Sequence, residues 1–204
     1  MREKRITRKT TCMVIAILIA GITTGMVTER SLWKVEAKMA VTQQKLAEEV
    51  LRFHVLANSD SEEDQALKMK VKEAVISYMK EELPDAQSVE ETKKWTGSHE
   101  EELEAAARKV IEEEGYDYDV KANLTTSYFP DKTYGDVTFP SGYYEALRIE
   151  IGEAKGHNWW CVLYPNLCFI DAVHAVVPEE GKQELKAVLE EEEYEMVTAT
   201  SKFK

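Results

Sequence analysis

The sequence is poor in the residues from which metal and nucleophile sites are built. It has four histidines and three cysteines in 204 residues. His54, His99, His157 and His174 never recur at a spacing of three to five, so no helix or hairpin offers a ready zinc pair. There is no GxSxG, no HExxH, no Walker loop and no GxGxxG after a strand. These gaps remove the strong hydrolase, metalloprotease and nucleotide-binding signatures, and no cofactor or metal is expected. The nine glycines and five prolines are scattered rather than gathered into a linker. No internal repeat divides the chain either. Base is scarce over most of the length. The chain has 26 Lys and Arg against 38 Asp and Glu. Setting aside five bases and one acid in residues 1–9 leaves 21 against 37, a formal charge of −16. Such a body repels phosphate backbones, which argues against nucleic acid as a partner, and the acid excess serves solubility.

What is present is concentrated at the N-terminus. Arg2, Lys4, Arg5, Arg8 and Lys9 precede Thr10–Val27, which holds no charged residue. Eighteen residues make a helix of roughly 27 Å, just enough to span a bilayer. Cations before the span stay in the cytoplasm, so the remainder is expected outside. Two readings stand for the segment. A cleaved signal peptide needs a small-x-small site, and Ala20, Gly21 and Gly25 supply no clean Ala-x-Ala. An uncleaved anchor needs only the span. The expected organisation is 1–27 as basic region with signal anchor or signal peptide, and 28–50 as tether and short helix. An extracytoplasmic domain at 51–194 and a tail at 195–204 complete it.

Cys161 and Cys168 fall in the exported part. In an oxidising compartment they are expected to form a disulfide, since no CxxC or histidine cluster accompanies them as a metal pair would require.

Periodicity assigns the elements. In LRFHVLA, Leu51, Phe53, Val55 and Ala57 share one face, with Arg52, His54 and Leu56 on the other, the pattern of a strand. Ser61 and Asp64 imitate a capping box for a helix ending at Pro84, with Lys68 and Lys72 toward water. Thr96-Gly97 interrupts the next helical stretch, and Ser98 with Glu101 caps a helix that closes at Gly115. Aromatic and β-branched runs at 118–128, 137–139, 143–151 and 159–163 read as strands. The turn Gly156-His157-Asn158 suggests that the last two form a hairpin. Pro178 opens a final helix running to about Glu193. The expected fold class is α+β: after the N-terminal hydrophobic segment, one domain with helices packed on a mostly antiparallel sheet.

The densest polar cluster is His54, Asn58, Ser59, Asp60, Asp64 and Gln65. It supports three readings. The cluster is a recognition surface at a strand–helix junction. Alternatively, His54 is a general base held by Asp60 or Asp64, which would make the chain an exported hydrolase. Or the residues only build the turn and cap the helix. Trp159 and Trp160 point to opposite faces of their strand, and the more exposed one is a candidate partner contact.

LRFHVLANSDSEEDQALKMKVKEAV (Leu51–Val75) and NWWCVLYPNLCFID (Asn158–Asp171) resemble the two signature blocks of the stage II sporulation protein R family. Arg52, His54, Val55, Ala57, Asn58, Ser59, Asp60, Asp64, Gln65, Leu67, Lys68 and Val71 match the first block. Trp159, Trp160, Cys161, Pro165, Leu167 and Cys168 match the second, and Asn166 departs from it where a proline is usual. The resemblance implies a signalling protein rather than an enzyme. Such proteins are made in the forespore and exported into the space between forespore and mother cell. There they activate a membrane-embedded aspartic protease of the mother cell that processes a pro-sigma factor. It carries over no catalytic residue.

Overall fold

The structure is a computed structural model. It describes residues 13, 15–17, 19–20, 33–34, 36–83, 88–165, 168, 177 and 179–199. The chain divides into two units, Met1–Thr42 and Gln43–Lys204. In the first, the described residues are helical, and Met13, Ile15, Ile17 and Ile19 are each at least half exposed. No helix among the described residues is long and apolar enough to cross a membrane. Most of the Thr10–Val27 segment lies outside the described residues.

The second unit is built around its first strand. Helical residues 43–49 lead into β1 (Leu51–Leu56), followed by α1 (Glu62–Glu82), α2 (Val89–Ser98) and α3 (Glu100–Glu113). Then come β2 (Val120–Phe129), β3 (Lys132–Tyr134), β4 (Val137–Phe139), β5 (Gly142–Ile151) and β6 (Asn158–Tyr164). Two helices close the described chain, α4 (Glu179–Val188) and α5 (Glu191–Ala199). The main sheet has the order β2-β5-β1-β6, and β3 and β4 pair separately. β1 runs parallel to β5 and antiparallel to β6, and β2 runs antiparallel to β5. The architecture is therefore α+β with a mostly antiparallel sheet, as the sequence pattern implied.

The local signals behave as their chemistry dictates. Ser61 caps α1 by accepting from the Asp64 N–H at 3.1 Å. The box is only half formed, because the Asp64 carboxylate turns away from the Ser61 N–H, which bonds Ser59 Oγ instead. Gly115 ends α3 at φ +84°, and the Tyr116 N–H reaches the Ile111 carbonyl at 3.0 Å.

Four expectations need correction. β5 and β6 are not a hairpin: β1 lies between them. All six β1 residues are buried, so both of its faces and both of its edges need cover, and the centre of the sheet supplies it. α2 continues through Thr96-Gly97 to Ser98, whose hydroxyl bonds the Trp95 carbonyl rather than capping α3. Lys68 is buried and the Lys72 side chain is only 11% exposed, because α1 packs down over β6 as well as over the sheet centre. The last helix is two helices, broken where the Glu190 N–H is capped by the Glu193 carboxylate at 2.9 Å. Pro178 lies outside the described residues.

Strand alternation sorts the interior into two cores. Leu51, Phe53, Val55, Leu147, Ile149 and Leu163 face the α1–α3 layer with Leu67, Val71, Leu103 and Ile111. The opposite face gathers Leu46, Val50, Phe129, Val137, Phe139, Tyr144 and Val162 with Leu185, Leu189 and Val197.

Arg52 sits in that second core, fully buried. Its guanidinium lies 4.4 Å from the Phe129 ring centroid, 5.0 Å from Tyr144 and 5.1 Å from Phe139. Nε donates to the Cys161 carbonyl at 3.1 Å and Nη2 to the Tyr134 hydroxyl at 3.3 Å, while Nη1 has no partner among the described residues. No described carboxylate pairs with it, and burial pushes its pKa down. A buried charge without a counter-ion costs desolvation that the aromatic faces only partly offset. Arg52→Met, which keeps the volume and removes the charge, is expected to stay within about 1.5 kcal/mol of the parent in urea unfolding. Arg52→Ala, which leaves a void between rings, is expected to cost about 3 kcal/mol. Equal losses for both would mean that the charge itself holds this core together.

Candidate functional site

The polar cluster lies where β1 ends, and its geometry follows from the strand order. The segment Gly152–His157 must cross over the end of β1 to carry the chain from β5 to β6. It lands on the turn Asn58-Ser59-Asp60. The Lys155 N–H bonds the Asn58 carbonyl at 3.1 Å and the Gly156 N–H bonds the Ala57 carbonyl at 2.9 Å. Asn58 Oδ1 accepts from the Glu153 N–H at 2.9 Å, and Asp60 Oδ1 accepts from the His157 N–H at 2.6 Å. Lys68 Nζ donates to the His157 carbonyl at 3.0 Å and to Gln65 Oε1. Gln65 Nε2 in turn holds the Ser59 carbonyl at 2.9 Å.

Two glycines make the close approach feasible. A Cβ on Gly156 would stand 2.1 Å from the Ser59 carbonyl oxygen, and Gly152, at φ +57°, faces Asn58 Oδ1. The backbone at Gly156 leaves no room for any side chain.

Asp64 is the anchor beneath the turn. It is buried, and its carboxylate accepts from Asn58 Nδ2 at 2.8 Å and from Ser59 Oγ. Burial alone would raise its pKa; hydrogen bonds from Ser59, Asn58 and Tyr118 outweigh that and hold it below the usual aspartate range. Asp60 meets the His157 ring through Nδ1, and that bond lowers its pKa. These are the two exposed members of the cluster, with side chains 55% and 82% accessible.

His54 is not among them. It projects from β1 toward the second core, 3% exposed, stacked on Trp160 at 5.0 Å and 14° and packed on Phe129 at 5.1 Å. Among the described residues neither ring nitrogen has a hydrogen-bond partner. Burial, with Arg148 and Arg52 adding to it, lowers its pKa to about 3. The dyad of His54 with Asp60 or Asp64 is therefore not formed. Asp60 pairs with His157, Asp64 lies on the helical side of the sheet, and His54 is a neutral ring on the other side.

The tryptophans straddle β6. Trp159 packs edge-on to Phe53 at 5.6 Å with Lys72 Nζ 5.2 Å from its ring, and Trp160 lies against His54 and Phe129 with Lys132 Nζ at 5.9 Å. Both are half-buried, one on each face. Cys161 and Cys168 form a disulfide, and the Cys168 N–H bonds the Val162 carbonyl at 3.0 Å. No group of three or more His, Cys, Asp or Glu residues able to hold a metal occurs among the described residues.

Sequence reasoning missed His157, Lys68 and Tyr118 as members of this network. The pair Gly152 and Gly156, spaced to bracket a tight crossing, was the signal that bore on them.

Fold and cluster define an α+β domain whose densest polar site fastens one of its own loops across its central strand. A family model described as Stage II sporulation protein R (spore_II_R) matches residues 47–174, and the chain belongs to that family. It is 35% identical over 177 residues to Stage II sporulation protein R of Bacillus subtilis (strain 168). That match covers 86% of this chain and 77% of the relative. No solved structure matches the chain.

Proposed function

We propose that this chain is an exported signalling protein of sporulation. In this reading it leaves the forespore and activates the membrane-embedded aspartic protease of the mother cell that processes a pro-sigma factor. Family membership over residues 47–174 is the observation that carries this reading. The basic N-terminus and uncharged Thr10–Val27 supply export, with the segment acting as anchor or cleaved signal. The Cys161–Cys168 disulfide suits an oxidising space between membranes. The hydrolase reading loses its residues, since His54 is apart from both aspartates.

The polar junction takes a different role in this reading from the one its exposure in sequence suggested. Asn58, Ser59, Asp64 and Gln65 are spent on the crossover loop, which leaves Asp60, Trp159 and Trp160 as the members able to touch a partner. The test is reconstitution. The full chain is mixed with membranes carrying the protease and its pro-sigma substrate, and processing is followed over time. Processing that depends on the added chain is the expected result. Equal processing with and without it would overturn the proposal.

A further inference from the structure

An acidic protein offers an acidic partner few places to rest. We infer that the sheet face opposite α1–α3 is such a place: Arg148, with Asn123 beside it and Lys132 at its far end, takes the carboxylates of an acidic segment in the exposed part of the protease. This rests on the activator reading above.

The first observation is a row of side chains. Strand register sets Trp160, His54, Arg148 and Asn123 side by side across β6, β1, β5 and β2, on the face away from α1–α3. His54 is sealed under Trp160 and Phe129, but Arg148 keeps 35% of its side chain accessible and Asn123 is exposed. Buried polar atoms without a hydrogen-bond partner among the described residues gather on this same side. They are Gln43 Nε2, Arg52 Nη1, both His54 ring nitrogens, Ser127 Oγ, Asp136 Oδ1 and Arg148 Nε. None belongs to the α1–α3 layer. Asp136 apart, every one of them is able to donate, so the face is short of acceptors. Buried donors are ordinarily met, and a group left unmet calls for an explanation; an incoming acceptor is the one that the local charges favour.

The second observation is the charge itself. Arg148 Nη2 bonds the Glu150 carboxylate at 2.6 Å, which leaves its Nε unmet. Lys132 brings Nζ to 5.9 Å from the centre of the Trp160 ring and makes no ion pair among the described residues. Its neighbour Asp131 is spent on the Ser141 N–H. Arg52, Arg148 and Lys132 thus stand against Glu150 here, in a body of formal charge −16. An acidic segment is repelled by most of such a surface and drawn to this part of it, which steers and orients its approach. Two strand spacings, about 10 Å, separate the Trp160 and Arg148 positions. A segment crossing the strands would set one carboxylate on Arg148 Nε and the Asn123 amide and a second on Lys132, with its apolar part over the accessible side of Trp160.

The test uses the full chain and the purified protease in detergent micelles, with binding measured at two salt concentrations. Arg148→Gln is expected to weaken binding about tenfold and Lys132→Gln about threefold, each with a flatter salt dependence and a thermal melt near that of the parent. Glu150→Gln removes the carboxylate that competes for Arg148 and is expected to tighten binding about threefold. An Arg148 that only braces the sheet would gain nothing from losing its ion pair. Where Arg148→Gln does not fold, Lys132→Gln and Glu150→Gln decide. If the parent binds and the folded variants bind as tightly as it does, or Glu150→Gln weakens binding, the carboxylate site is wrong while the activator reading stands. If the parent neither binds nor activates, both fall.

Discussion

His54→Phe is expected to flatten the acid limb of this domain's stability. His54 is a neutral ring in an apolar stack, with a pKa lowered to about 3 chiefly by burial and further by Arg148 and Arg52. The unfolded chain takes up a proton near pH 6.5, and the folded one does not until far lower. The stability it supplies is therefore whole above pH 6.5 and falls as the pH drops toward the folded value, by about 1.4 kcal/mol per unit. At pH 5 this amounts to about 2 kcal/mol relative to pH 7.5. Phenylalanine fills the same space beside Trp160 and Phe129 and cannot titrate. Urea unfolding of both proteins at the two pH values reads the effect. Every other group is common to the two proteins, so its contribution cancels in the difference. Parallel losses in parent and variant would show that His54 is not held neutral.

Asp64→Ala should be among the most damaging single changes in the chain. It strips the acceptor from Asn58 Nδ2, Ser59 Oγ and the Tyr118 hydroxyl at a buried site. Unmet donors of this kind put the loss at about 3 kcal/mol. The damage should spread to the loop that Asn58 holds, so the Glu153 and His157 amides should exchange faster than in the parent. Asp64 also has its own acid window. Its pKa is depressed in the fold, so its contribution is present above the ordinary aspartate value and is lost as the pH falls below it, which begins only at the acid end of the range in which His54 acts. A near-parental melt for Asp64→Ala would mean the network is decoration. If protease activation falls only as far as stability does, the junction is architectural; loss of activation in a stable variant would return it to recognition.

Local chemistry was the part of this fold that could be read from sequence. The Ser61 cap and the Gly115 stop depend on residues a few positions apart, and both stand where their spacing put them. Pairing across a hundred residues left no such trace. Nothing in LRFHVL says whether its neighbours are β5 and β6, so the turn at Gly156-His157-Asn158 suggested a hairpin that the insertion of β1 forbids. Lys68 and Lys72 were misplaced for a related reason. A helix wheel allots one buried stripe, and α1 also covers the β6 flank, where ammonium groups find a carbonyl and an indole face. His54 is the more instructive case. The alternation that turned Phe53 and Val55 toward the helices already sent His54 to the other side of the sheet. Proximity in sequence grouped it with Asp60 all the same. Period-two geometry was the better guide, and it left His157 to meet the aspartate.

The place of β1 at the centre of the sheet also sets an order of events. Its partners are Ala146–Glu150 on one side and Asn158–Tyr164 on the other, about a hundred residues downstream. Until those strands have been made, the most buried segment of the domain has nothing to pair with, and α1–α3 lack the surface on which their apolar faces rest. The chain therefore stays unlocked during most of its synthesis. For a protein read as threading through a translocation channel behind its first 27 residues, that delay is an advantage. The domain cannot close on the wrong side of the membrane before its last strand has left the ribosome.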